Sequence, residues 1–157
     1  MQWNVRTWTL PNGPLVELVD NEKLLWHSTT AETAKIICHR GFNRSFNRTA
    51  AYGKGVYFTH FFWHSALCFY FVLDKNENKY VFQCRMLTGN YCSGEYGLVE
   101  PPARDEESLT LYDSVVDFPQ NPFVFVIFQD HQAYPEYLVT FQIWSNLSVT
   151  ISELMSL

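Results

Sequence analysis

The chain has 157 residues, 47% of them hydrophobic and 17% aromatic, with a formal charge of −5 and a pI near 5.4. That length suits one domain around one core, so residues 1–157 are read as a single unit. Eleven basic residues scattered among sixteen acidic ones leave no electrostatic footprint for nucleic acid, and the most apolar stretch, Phe61–Leu73, spans 13 residues where a membrane helix needs roughly 20.

Leu24–Ser28 (LLWHS) suits a short buried strand. Thr29 and Glu32 then have capping-box spacing, Ile36 and Ile37 give an apolar face, and Gly41 stands where a helix-ending glycine belongs, so Ala31–Arg40 reads as a helix. Asn43–Tyr52 is polar and aperiodic, a loop of functional length. Gly55–Thr59 is a second strand, running into a buried helix over Phe61–Leu73, after which Asp74–Lys79 (DKNENK) turns the chain. Tyr80–Thr88 alternates as a third strand, and Gly89–Glu107, rich in glycine, proline and charge, reads as an irregular surface segment. Val115–Val116, Phe123–Phe128 and Tyr137–Ile143 add strand, with a turn over Asp130–Pro135, while Ser145–Leu157 has no evident role. Strands outnumber helices, and the later ones follow one another without crossover helices, which predicts an α+β domain with mainly antiparallel sheet.

Three motifs carry possible chemistry. Ala51–Phe58 (AYGKGVYF) has the glycines and lysine of a phosphate loop, but a phosphate loop enters a helix so that its N–H groups meet the anion, and here the glycines lead into a strand. A tight turn is the bland alternative. His60 and His64 have zinc spacing on a helix, but Phe61, Phe62 and Trp63 between them supply no base, and no metal is expected. Cys38, Cys68, Cys84 and Cys92 show no paired spacing, and the first residues lack the charged and apolar regions of a leader. Reduced thiols in cytoplasm or nucleus are therefore expected.

LLWHSTT, a helix ending in GF, YGKGVYF, Ser65, YDSVVD (Tyr112–Asp117) and FVIFQDHQAYPEYLV (Phe125–Val139) together resemble the catalytic domain of the poly(ADP-ribose) polymerase family, the diphtheria-toxin-like ADP-ribosyltransferases. The likeness covers about residues 24–141 and points to the mono-ADP-ribosylating members that also carry macro domains. It implies two apposed, mainly antiparallel β-sheets around an NAD⁺-binding cleft with flanking helices. NAD⁺ is then the donor substrate and a protein side chain, in another protein or in the chain itself, the acceptor.

The resemblance also assigns residues. His27, Tyr57 and Val124 match the family's catalytic triad. His27 implies a hydrogen bond to the adenosine ribose, and the backbone of Ser28 a grip on the nicotinamide amide. Tyr57 and Tyr70 imply two aromatic faces on the nicotinamide ring, with cation–π attraction to the pyridinium, and Ser65 a hydroxyl bonded to its carboxamide. Thr33 and Arg44 are assigned to the donor site as well. Val124 stands where polymer-forming members have glutamate, which implies transfer of a single ADP-ribose, while Glu136 lies one strand beyond and serves structure. Ser28 occupies a usual glycine position and the region before Leu24 is short. Those two departures motivate an alternative, a domain that binds NAD⁺ or a protein partner without turnover.

Overall fold

The computed structural model describes residues 21–47, 50–68, 73–105, 107, 109–143 and 149–157. Its eight strands are β1 (Glu22–Thr29), β2 (Val56–Thr59), β3 (Lys79–Leu87), β4 (Tyr91–Ser93), β5 (Ser114–Val116), β6 (Val124–Ile127), β7 (Ala133–Ile143) and β8 (Val149–Ser156), and its helices are α1 (Ala31–Arg40) and α2 (Phe62–Cys68). The strands join in the order β4-β5-β6-β2-β1-β3-β7-β8. Every pairing among the described residues is antiparallel except β4 with β5.

The expected α+β class with mainly antiparallel sheet holds, and the two sheets appear as halves of one ladder. β1, β3, β7 and β8 form one half and β2, β6, β5 and β4 the other. Their ladders join at one residue pair, Trp26 with Thr59, so the strand pairing is nearly interrupted along that seam.

The main core lies on one face, where Leu25, Phe58, Phe82, Cys84, Met86, Phe125 and Ile127 are covered by Ala34 and Ile37 of α1 and by Phe42 just after it. On the other face, Val81, Val139 and Phe141 of the long half pack with Trp26 and with Phe62 of α2. The same face of the short half buries Val115, Val124, Val126 and Phe128 beneath Tyr52, Tyr57 and Leu98. All four residues of β6 are therefore buried, which is why FVFVIF reads as an unbroken apolar run instead of an alternating one.

α1 has the residues expected, but its cap is one position later than the spacing suggested. Thr29 is still strand, paired with Tyr80, whereas Thr30 is extended with its hydroxyl accepting from the Thr33 N–H at 3.2 Å. Such a cap contributes about 1 kcal/mol. The Gly41 N–H closes the far end on the Ile37 carbonyl.

Three further expectations are corrected. The Gly89–Glu107 segment contains β4, which pairs with β5 through Cys92 and Val115. The Asp130–Pro135 turn is a 3₁₀ turn over Asp130–Gln132 followed at once by β7, and Pro135 sits where the β3–β7 register shifts, a bulge at which a missing N–H is tolerated. The helix predicted over Phe61–Leu73 is described as far as Cys68, and Leu73 is not helical. Val149–Ser156, whose role was not legible, adds the edge strand β8 beside β7 and leaves Ile151 and Leu154 exposed.

Candidate active site

A cleft of about 270 Å³ opens at the seam between the two halves. Trp26, His27, Ser28 and Thr29 of β1 form one wall, Val56, Tyr57 and Thr59 of β2 the next, and Ser65 of α2 closes one end. Thr33, Ile36 and Ile37 of α1, then Phe42, Asn43, Phe46 and Asn47 after it, close the other side. Among the described residues, no aspartate, glutamate, lysine or arginine lines the cleft. Its chemistry is that of aromatic faces, hydroxyls, amides and one imidazole.

His27 sits in the wall with its ring packed at 5.1 Å against Phe42 and 5.4 Å against Phe58. Its Nδ1 lies 2.8 Å from the Tyr57 carbonyl oxygen. A carbonyl only accepts, so Nδ1 carries the hydrogen, and in the neutral ring Nε2 is the acceptor. Burial holds the imidazole below its ordinary pKa, against the opposing pull of the Tyr57 carbonyl, and so favours that neutral form. One bond thus ties the β1 histidine to the β2 tyrosine across the seam and sets the ring's acceptor nitrogen.

The glycine loop works on Tyr57. The Tyr57 hydroxyl donates to the Gly53 carbonyl at 2.7 Å and accepts from the Tyr52 N–H at 3.0 Å, so the phenol is held by the loop that precedes it. Burial raises its pKa and keeps it protonated as a donor. Glycine is needed at both positions. Gly53 has φ 129°, and a Cβ there would meet the Phe128 ring at 2.6 Å, while a Cβ on Gly55 would collide with the Ile127 carbonyl of β6. The motif is a close-packed tyrosine clamp that leads into a strand.

The loop is also held from outside, and here the sequence alone was insufficient. The Lys54 N–H donates to the Leu98 carbonyl at 2.6 Å, the Gly97 N–H to the Ala50 carbonyl at 2.9 Å, and the Leu98 side chain packs on the same buried cluster as Tyr52 and Tyr57. Residues 94–99, read above as surface, therefore buttress the clamp. Phe42 and Asn47 were likewise not singled out, although the GF after α1 already marked the first. The Asn47 amide donates to the Gly55 carbonyl and pins the loop to the foot of β2.

The remaining assignments divide. His27, Ser28, Thr33, Tyr57 and Ser65 come together on the cleft from four elements. Ser65 is 3% exposed. Thr33 is engaged in the α1 cap, with its hydroxyl 3.1 Å from that of Thr30. Arg44 is not on the cleft wall: its guanidinium donates to the Val99 carbonyl at 2.7 Å, and its N–H to Asp130 at 2.8 Å, so it ties the loop to the buttress. Val124 is 4% exposed, paired with Thr59 and behind the wall instead of on it. Tyr70 lies outside the described residues. Glu136 meets Arg85 at 3.0 Å on the long half, a structural contact away from the cleft. Among the described residues there is no group of three His, Cys, Asp or Glu placed to hold a metal ion, and no helix long and apolar enough to cross a membrane.

Residues 12–101 match the family described as the poly(ADP-ribose) polymerase catalytic domain. The chain is 44% identical over 125 residues to the human protein mono-ADP-ribosyltransferase PARP14, covering 78% of this chain and 7% of that protein. It is 42% identical over 121 residues to mouse PARP10, covering 76% and 13%, and 34% identical over 158 residues to human PARP12, covering 99% and 22%, both also named mono-ADP-ribosyltransferases. The chain thus spans less than a quarter of the length of these relatives. Among solved structures, the PARP domain of Arabidopsis RADICAL-INDUCED CELL DEATH1 has the same fold, with a TM-score of 0.63 at 22% identity over 80% of this chain and 70% of that one.

Proposed function

The chain belongs to the poly(ADP-ribose) polymerase catalytic-domain family, and on that premise we propose that it transfers a single ADP-ribose from NAD⁺ to a protein side chain, releasing nicotinamide. The observation that carries the reading is the convergence of His27, Ser28, Tyr57 and Ser65 on one cleft at the seam. A volume of about 270 Å³ falls just under the roughly 300–1,000 Å³ of typical small-molecule pockets. It is smaller than a whole dinucleotide needs, so part of NAD⁺ extends beyond it.

The transfer breaks the bond between the ribose C1′ and the pyridinium nitrogen, and nicotinamide leaves neutral with the electron pair. The acceptor side chain forms the new bond to C1′ and gives up a proton. The Tyr57 ring, held rigid at its hydroxyl, offers its face to the cationic ring. The Ser65 hydroxyl and the Ser28 backbone orient the carboxamide, and the resemblance assigns the second aromatic face to Tyr70. The neutral His27 Nε2 accepts from a hydroxyl of the adenosine ribose, its direction set by the Nδ1 bond to Tyr57. Thr33 contributes to the donor wall, and Arg44 shapes it through the loop. Val124 has neither charge nor hydrogen-bonding group, so it cannot activate a growing chain's hydroxyl, and the product stops at one unit. Cytoplasm or nucleus is part of the same reading, supported by the free cysteines Cys38, Cys84 and Cys92.

Incubation with labelled NAD⁺ tests the proposal. The wild-type chain is expected to label itself or added protein at least about tenfold above His27→Ala, in line with the loss of a positioned group. Equal labelling of the two overturns it, as does a product of several ADP-ribose units by mass spectrometry. The Ser28 side chain on the cleft wall favours one second reading, a binder without turnover. A non-hydrolysable NAD⁺ analogue that binds in calorimetry while no label is transferred, with labelling restored by Ser28→Gly, selects it.

A further inference from the structure

In the short half of the sheet, Asp117 is a carboxylate whose bonding the reaction as described does not use. Asp117 follows β5, and its Oδ1 accepts three main-chain N–H groups, from Phe118 and Phe123 at 2.9 Å and from Val124 at 3.0 Å. Its own N–H donates to the Val124 carbonyl at 3.3 Å. One residue thus closes the whole Phe118–Phe123 connection and fixes the first residue of β6, the third triad position. The connection has little ladder of its own: β5 and β6 are three and four residues long.

What Asp117 holds in place extends to the cleft. The Phe123 carbonyl accepts from the His60 N–H at 3.1 Å, just past β2. The Phe123 ring lies edge-on to His64 of α2 at 4.1 Å and against Phe61 at 5.4 Å. Ser65, the next residue of α2, lines the cleft, as does Thr59, the partner of Val124. A charged oxygen taking three N–H bonds is a strong and directional anchor, and its position, rather than any contact with the cleft, is its asset.

We infer that Asp117 is a positioning residue for the transfer step, fixing the backbone at Val124 and, through Phe123, the helix that bears Ser65, without itself contacting the donor. This rests on the transferase reading. The consequence is a split in the kinetics. Losing the anchor loosens the third triad position and α2 without removing a donor contact, and misplacement by about 1 Å costs on the order of 100-fold in rate.

The experiment compares wild type, Asp117→Ala and Asp117→Asn in labelling from NAD⁺, each normalised to the concentration of sites that bind a non-hydrolysable NAD⁺ analogue. Asp117→Ala is expected to lower kcat at least about tenfold with KM for NAD⁺ within about twofold of wild type. Asp117→Asn, which keeps an accepting oxygen without its charge, is expected to recover most of kcat. If the alanine variant does not fold, Asp117→Ser, whose shorter hydroxyl cannot take all three bonds, replaces it with the same readouts. Amide hydrogen exchange at Phe123 and Val124 is expected to accelerate in the alanine or serine variant and not in the asparagine one. Wild-type kcat in the alanine or serine variant overturns the inference and leaves the transferase reading intact. An equal loss of analogue-binding sites and of rate, with kcat per site unchanged, also overturns it, because the role is then merely structural. A wild-type chain that binds the analogue and never labels overturns the transferase reading instead, and this inference with it.

Discussion

β1, β3, β7 and β8 run for eight to eleven residues and hold one another through long antiparallel ladders, whereas β2, β4, β5 and β6 run for three or four. The short half makes up the difference with side chains that reach back to the main chain. Ser114 donates to the Thr88 carbonyl at 2.7 Å, Asp113 accepts from the Asn90 N–H at 2.8 Å, Tyr57 is clamped by Tyr52 and Gly53, and Asp117 gathers three N–H groups. The cleft lies where the two kinds of construction meet. A ladder is stable but leaves little freedom to aim a side chain. Short strands joined by loops can aim side chains and then need individual bonds to hold the aim.

That contrast can be broken most severely in the long half. Phe82 is fully buried in the main core, so Phe82→Ala is expected to cost about 3–5 kcal/mol in denaturant unfolding. A loss under about 1 kcal/mol means that the long half is not the foundation. Gly55→Ala strikes the short half, because the added methyl meets the Ile127 carbonyl and the Val126 side chain. An overpacking cost of about 1–3 kcal/mol is expected with weaker binding of an NAD⁺ analogue in calorimetry, and unchanged binding means that the clamp on Tyr57 has slack.

The bond across the seam sharpens the comparison through pH. Burial lowers the folded-state pKa of His27, while the unfolded chain titrates near the ordinary value of about 6.5. Protonation therefore favours unfolding. The stability contributed by the neutral ring is complete above about pH 6.5 and is lost as the pH falls from there through the folded pKa. Wild type is expected to lose more of its unfolding midpoint between pH 7 and pH 5 than His27→Gln, and parallel curves would place the imidazole in an exposed setting. The smallest effect is expected from Arg85→Ala. It removes the ion pairs with Glu22 and Glu136 on the long half, but Arg85 is 51% exposed, and solvent screens such pairs so that they contribute little. A larger loss would mean that the long half also depends on individual side-chain bonds.

Legibility followed the same division. In the long half, period located β3 and α1 to within about a residue, because a strand or helix with one buried side writes its period into the chain, while an apolar run marked the middle of β1. In the short half, YGKGVYF and FVFVIF marked strands, yet β4 was hidden in a segment of glycine, proline and charge. Its three residues are too few for a period and depend on β5 for their pairing. Pro135 argued for a turn and sits inside β7, because the bulge that admits it is a property of two strands together. The cleft residues His27, Ser28, Tyr57 and Ser65 were recoverable from the resemblance. Arg44 was assigned to the donor wall by the same route and is engaged instead by the Val99 carbonyl and Asp130, partners 55 and 86 positions away.

By itself, then, the chain determined its class, the helix α1 and most of the strands through local periodicity and short motifs, and the residues that face the seam only through the resemblance that those motifs carry. Tertiary structure alone decided that Tyr57 is gripped by its own loop, that residues 94–99 brace that loop, and that Val124 lies behind the cleft wall with Asp117 anchoring its backbone. Each of those depends on a main-chain carbonyl or N–H meeting a group distant in sequence or folded back across a tight turn. Every residue carries the same backbone groups, so nothing in the order of side chains announces which of them will meet.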